Sequence, residues 1–232
     1  MTDGRAQSTV SCLIEPPEDN DELQRRMHAP RLLIVDDDPA LLDALSAMIT
    51  FRLRAVAVET DDDPLHALER VRQSHYAAVI SDCRMPKLNG LAFLDAVKGI
   101  RPCIPVLLST GGDQRVLTEG LRRGAADILW KPIDRNDFVQ AVRRALRLHH
   151  LQHRMDSIRA RMHTIRLLIH HIPGRRHELG LQPSTSGDRL RRRSERLEGQ
   201  LTRLNTRSRL LAAATQSRLL QRTHLPMSEE AS

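Results

Sequence analysis

Aromatic residues are almost missing from this chain, which has three phenylalanines, one tyrosine and one tryptophan in 232 residues. Any core must therefore be built from aliphatic side chains. Cysteine is scarce as well: Cys12, Cys83 and Cys103 are odd in number and lack metal-ligand spacing. That argues against a disulfide framework or a zinc site and suits a reducing cytoplasm. No apolar run approaches a membrane span, and the first residues lack the basic start and apolar stretch of a signal peptide. A soluble cytoplasmic protein with no membrane partner is expected.

The charge that is present is unevenly spread. The chain carries a formal +7 at pH 7. From His149 to Leu225, however, sixteen arginines stand against five acids, and the remainder is mildly acidic. An acidic globular part joined to a basic extension implies two different jobs. The expected organisation is a disordered leader over 1–29, an α/β domain over 30–148, a basic helical extension over 149–225 and a disordered tail over 226–232.

Within 30–148, short apolar runs alternate with amphipathic segments. The strands read as Leu32-Leu33-Ile34-Val35, Ala55-Val56-Ala57-Val58, Ala77-Ala78-Val79-Ile80-Ser81, Pro105-Val106-Leu107-Leu108 and Asp127-Ile128-Leu129-Trp130. Pro39 starts the first helix, with Leu41, Leu42, Leu45, Met48 and Ile49 at helical spacing. Asp61-Asp62-Asp63 before Pro64 caps a second helix carrying Leu65, Leu68 and Val71. Gly90 opens the third helix, Gly124 stops the fourth, and Asp134 caps the last. Five strands, each followed by a helix, predict a doubly wound parallel sheet whose functional rim lies at the carboxyl ends of the strands.

Four of those ends carry chemistry: Asp36-Asp37-Asp38-Pro39, Asp82, Ser109-Thr110-Gly111-Gly112 and Lys131-Pro132. Two carboxylates about 4 Å apart repel by about 4 kcal/mol at an effective dielectric near 20. Such crowding makes sense around a divalent cation, and all-oxygen ligation favours magnesium. A cation would also offset the charge of an incoming phosphoryl group, leaving Asp82 free to attack phosphorus while Lys131 and Thr110 bind its oxygens. Each piece has a plainer reading. An acid at a strand end is usually a solvated turn residue, the triple acid serves equally well as a helix cap, and Thr110 beside two glycines is a common loop cap. The order and spacing of all four together favour the chemical reading.

These residues resemble the receiver domain of bacterial two-component response regulators. The resemblance covers about residues 30–148, through Val35-Asp36-Asp37-Asp38-Pro39, Ser81-Asp82 with Met85-Pro86 and Asn89-Gly90, Ser109-Thr110-Gly111, and Gly124-Ala125-Ala126-Asp127 leading to Lys131-Pro132. It implies a flavodoxin-like sheet of order 2-1-3-4-5, with Asp82 as phosphoacceptor. Asp36 and Asp37 would bind Mg2+, Asp37 the more directly, joined by Asp82 and the backbone carbonyl of Arg84. Thr110 would be the switch hydroxyl and Lys131, aimed by a cis bond before Pro132, the phosphate-binding lysine. Arg84 and Gly112 would flank the path of an attacking water. The implied partner is a histidine kinase or phosphotransfer protein, and the implied catalysis is confined to the domain's own phosphorylation and dephosphorylation. The family's switch aromatic falls on Ile128, a branched aliphatic that cannot reproduce a ring's inward and outward positions.

Beyond Leu148 the apolar residues Leu151, Met155, Ile158, Met162, Ile165, Ile169 and Ile172 are spaced alternately by four and three, a coiled-coil repeat with a phase change near Leu148. Pro173-Gly174 ends that helix, and the stretch to Gly187 reads as a loop. Leu190, Leu197, Leu204 and Leu211 mark a weaker second helix. An antiparallel hairpin is expected, with a homodimer burying its seam. The arginines read as a solvated face or, at Arg189, Arg191, Arg192, Arg193 and Arg196, as nucleic-acid contacts. No helix-turn-helix pattern, zinc-finger spacing or aromatic platform supports the second reading. A third reading, a phosphotransfer or phosphatase adaptor, rests on the histidines His149, His150, His153, His163, His170 and His171 and on His177-Glu178-Leu179. No acid directly follows any of those six.

Overall fold

The computed structural model describes residues 29–111, 113–171 and 185–223. The leader, the tail, Gly112, the Pro173-Gly174 helix stop and the His177-Glu178-Leu179 segment lie outside the described residues. Five strands, β1 (Arg31–Val35), β2 (Ala57–Asp61), β3 (Ala78–Asp82), β4 (Val106–Thr110) and β5 (Asp127–Trp130), alternate with α1 (Pro39–Arg52), α2 (Pro64–Gln73), α3 (Gly90–Ile100) and α4 (Gln114–Arg122). Two long helices follow, α5 (Arg135–His171) and α6 (Thr185–Thr223). The sheet is parallel throughout, in the order β2-β1-β3-β4-β5.

Period-two alternation divides the core. Leu33, Val35, Val79, Val106, Leu108 and Ile128 face the layer of α2, α3 and α4, while Leu32, Ile34, Ala78, Ile80, Leu107 and Leu129 face α1 and α5. Burial on both faces is why these strands read as continuous apolar runs. Each helix start is set by a short acceptor: Asp38 and Asp63 cap α1 and α2 ahead of their prolines, Asn89 caps α3 and Asp113 caps α4. Such caps are worth about 1 kcal/mol each. Asp134 does the same for α5, accepting from the N–H groups of Asn136 and Asp137.

Several sequence expectations shift. β2 begins at Ala57, not Ala55, and runs through Glu59, Thr60 and Asp61. It is an edge strand, so apolar content is a poor guide: Arg31, Arg70 and Tyr76 hold Glu59 in place of a hydrophobic face. Leu65 is 52% exposed, because Pro64 takes the inner position and the buried stripe of α2 runs Pro64, Ala67, Leu68, Val71. Helix α6 already includes Thr185, Ser186 and Gly187, which were expected in the loop. Polar residues that break helix interiors are tolerated in a first turn.

The expected domain boundary at Leu148 is a change of partner inside one unbroken helix. Helix α5 has 37 residues, roughly 55 Å at 1.5 Å per residue. Phe138, Val142 and Ala145 pack on the sheet, whereas Leu151, Met155, Ile158, Met162 and Ile165 pack with Leu197 and Leu204 of α6. Arg166 meets Glu198 at 3.9 Å, and Leu148 and Gln152 share a cavity with Thr215 and Gln216, so the two helices run antiparallel. The antiparallel hairpin expected from the sequence is thus formed, with its seam packed within one chain. Its far end returns to the sheet, where Leu219, 2% exposed, joins the core layer of α3 and α4. The cavity there is also lined by Pro105 and Gly124 to Asp127, at the amino ends of β4 and β5. Among the described residues no helix is long and apolar enough to cross a membrane.

Candidate functional site

Parallel pairing brings the carboxyl ends of β1, β3, β4 and β5 to one rim. Register sets Val35 beside Ser81, Asp82 beside Ser109 and Thr110 beside Trp130. Asp36 and Asp82 are 3% and 5% exposed, a costly position for carboxylates without a partner. Lys131 supplies one to both. Its Nζ lies 2.9 Å from Asp36 Oδ2 and 2.8 Å from Asp82 Oδ1. Partial burial disfavours the ammonium, but the hydrogen bonds to Asp82 and Asp36 outweigh it and hold the lysine above its ordinary value. A cis peptide joins Lys131 to Pro132, as expected.

Asp82 has two further donors. The backbone N–H of Arg84 donates to Oδ2 at 2.7 Å, and the Ser109 hydroxyl donates to Oδ1 at 3.2 Å. Ser109 was missed in the sequence, where Thr110 drew attention. Strand pairing was the available signal, because the register partner of Asp82 presents its side chain to the same face. Thr110 is buried, and its carbonyl accepts from Lys131 N–H at 2.7 Å.

The three consecutive acids divide their work. Asp38 is the helix cap, accepting from Ala40 and Leu41. Asp36 accepts from the Asp38 N–H at 3.0 Å and from Lys131, and Asp37 is exposed. Among the described residues no group of three or more His, Cys, Asp or Glu side chains could hold a metal ion. The rim offers two buried carboxylates with an exposed third acid alongside. That donor set fits magnesium, which keeps several waters and commonly takes one or two carboxylates.

Close backbone packing explains the Asn89-Gly90 pair. A Cβ on Gly90 would stand 2.3 Å from the Asp82 carbonyl oxygen and 2.8 Å from Cys83 Cα. Burial, then the neighbouring Asp82 charge, pushes the Cys83 thiol up to about 12. Ile128 is 1% exposed and sits under Gly120 of α4, where a Cβ would come 3.3 Å from its Cδ1. Arg84 is exposed, with its Nη2 2.9 Å from the position of a Cβ on Gly111. Arg189, Arg191, Arg192, Arg193 and Arg196 are exposed on the part of α6 next to Glu198, away from this rim.

Two buried acids and a lysine thus share the carboxyl rim of a doubly wound parallel sheet. Residues 32–143 match the family model for the response regulator receiver domain. This segment is a receiver domain of two-component signalling. A protein-glutamate methylesterase/protein-glutamine glutaminase 1 from Anaeromyxobacter dehalogenans is 36% identical over 107 residues, 45% of this chain and 30% of that protein. The transcriptional regulatory protein CpxR homolog of Haemophilus influenzae is 33% identical over 117 residues, 50% of each chain. A response regulator receiver domain protein from Clostridium thermocellum superposes with a TM-score of 0.50 at 26% identity, covering 53% of this chain and 98% of that one. The chain spans half or less of the two curated relatives, and the family match ends at residue 143, within α5.

Proposed function

We propose that the chain is a response regulator in which Asp82 accepts a phosphoryl group from a histidine kinase or phosphotransfer protein, and in which the α5–α6 hairpin carries the response. The observation that carries this reading is the Lys131 ammonium shared between Asp36 and Asp82 at 2.9 and 2.8 Å. An Asp82 carboxylate oxygen forms the new bond to phosphorus as the donor's P–N bond breaks. The Lys131 ammonium then binds a phosphoryl oxygen, and the Thr110 hydroxyl is the switch donor to another. Asp36, Asp37, Asp82 and the Arg84 carbonyl would hold Mg2+, which when bound offsets negative charge on the phosphoryl group. The chain's own catalysis is limited to gaining and losing that group. Packing of Ile128 against α4, without an aromatic ring to swing, supports a readout through backbone and helix displacement rather than a ring rotation.

The test is incubation with labelled acetyl phosphate. Label is expected on wild type only with magnesium and is expected to be lost in Asp82→Asn. Label that persists in the variant, or that needs no magnesium, would sink the assignment. Four exposed arginines within six residues, Arg191 to Arg196, favour a second reading of the output as nucleic-acid binding. Mobility shift that is absent at every salt concentration removes it. Pairing of two chains would fall to the exposed Leu167, Leu168 and Leu210, since the hairpin seam is already filled.

A further inference from the structure

Where α5 leaves the sheet, an open groove of about 400 Å3 lies between the two long helices. Its floor is apolar, made by Leu146, Leu151 and Leu211. Its walls carry three arginines and a histidine: Arg147, His150 and Arg154 from α5 and Arg207 from α6. Helical spacing causes this, since positions 147, 150/151 and 154 share one face of α5, as 207 and 211 share one face of α6.

No acid lines the groove, and among the described residues none of these four side chains is hydrogen-bonded or ion-paired. Several arginines of the receiver are instead paired: Arg31, Arg70, Arg123 and Arg144 are each held by a carboxylate. Three exposed guanidinium groups around one groove raise its positive potential, which an anion would offset.

We propose that this groove binds a small phosphate-bearing molecule with a planar or apolar body, of the nucleotide class. Guanidinium groups engage phosphate oxygens in pairs and also lie flat on planar rings. The volume falls in the usual range for small-molecule sites, about 300–1,000 Å3, and exceeds what a lone phosphate needs. The leucine floor is the part a bare phosphate would leave unused. The position gives such a ligand a second consequence. Leu146 packs on the receiver core, while Leu151 and Leu211 belong with the hairpin cluster, so the ligand would touch both. Nothing in this depends on the chemistry at Asp82.

The experiment is calorimetric titration of the full chain, without divalent cation, using ADP, pyrophosphate and a short DNA duplex as probes. ADP is expected to bind more tightly than pyrophosphate and than the duplex. Arg154→Gln and Arg207→Gln are each expected to weaken ADP by about tenfold or more, the loss of one charge-assisted phosphate contact. Their thermal midpoints without probe should equal or exceed wild type, because the positive potential of the groove is lowered. Failure of ADP to saturate at millimolar concentration, or unchanged affinity in both variants, overturns the site. Pyrophosphate binding as tightly as ADP overturns the ligand class, and a duplex binding more tightly than either assigns the arginines to nucleic acid instead.

Discussion

Replacing Lys131 by glutamine removes the charge that lets two buried carboxylates coexist. At 2.8 and 2.9 Å, each attraction amounts to about 6 kcal/mol at an effective dielectric near 20. Partial desolvation of the ammonium cancels much of that. Removing one partner from a buried pair costs about 3–5 kcal/mol in practice. The Lys131 side chain keeps 29% of its exposure, so the expected loss is at the lower end, about 3 kcal/mol at neutral pH. Because the folded lysine is held above its ordinary value of 10.5, its contribution is present throughout the range below that value. It is lost as pH rises through the folded pKa. The gap between wild type and variant should therefore be constant from neutrality to about pH 10 and close above it. Urea denaturation followed by far-UV circular dichroism and by Trp130 emission measures it. Asp36→Asn supplies the cycle: with one carboxylate neutralised, Lys131→Gln should cost at least about 1 kcal/mol less. Equal stability of Lys131→Gln and wild type, or strictly additive losses in the double variant, would refute the reasoning.

Two further outcomes follow from burial. The Cys83 thiol, raised to about 12 from 9.0, keeps its proton in the folded state after the unfolded chain has lost it. Stability is thus expected to fall between about pH 9 and pH 12 by up to about 4 kcal/mol, and Cys83→Ala should remove that part of the decline; an unchanged alkaline profile in the variant contradicts it. Leu219→Ala is expected to cost about 2–4 kcal/mol and to speed amide exchange over residues 211–223, while β3 and β4 stay protected. Unaltered exchange there would mean that the end of α6 does not depend on its contact with the sheet.

Most of the sheet was legible because buried parallel strands announce themselves as unbroken apolar runs bounded by turn residues. The place of the candidate site was legible for a related reason: in this topology the strand ends arrive at the same rim, so Asp36, Asp82, Thr110 and Lys131 could be brought together from order alone. Edge and partner effects were not legible. β2 started two residues late because ion pairs, rather than apolar contacts, hold Glu59. Ser109 was hidden because its importance lies in pairing across strands, which sequence proximity to Thr110 obscures. The heptads of the extension and their antiparallel hairpin were visible, but not that the second helix would reach the sheet again.

That return has a consequence for how the molecule is made. Leu94, Val97 and Ile104, in the core layer that Leu219 joins, leave the ribosome more than a hundred residues before it does. Until then the receiver must wait with part of its core layer open, relying on its local contacts and slow to bury the last of its apolar surface. Once Leu219 docks, the unbroken α5 and the returning α6 bind receiver and hairpin into one cooperative unit. Such a chain should melt in a single transition, although its sequence divides so readily into two parts.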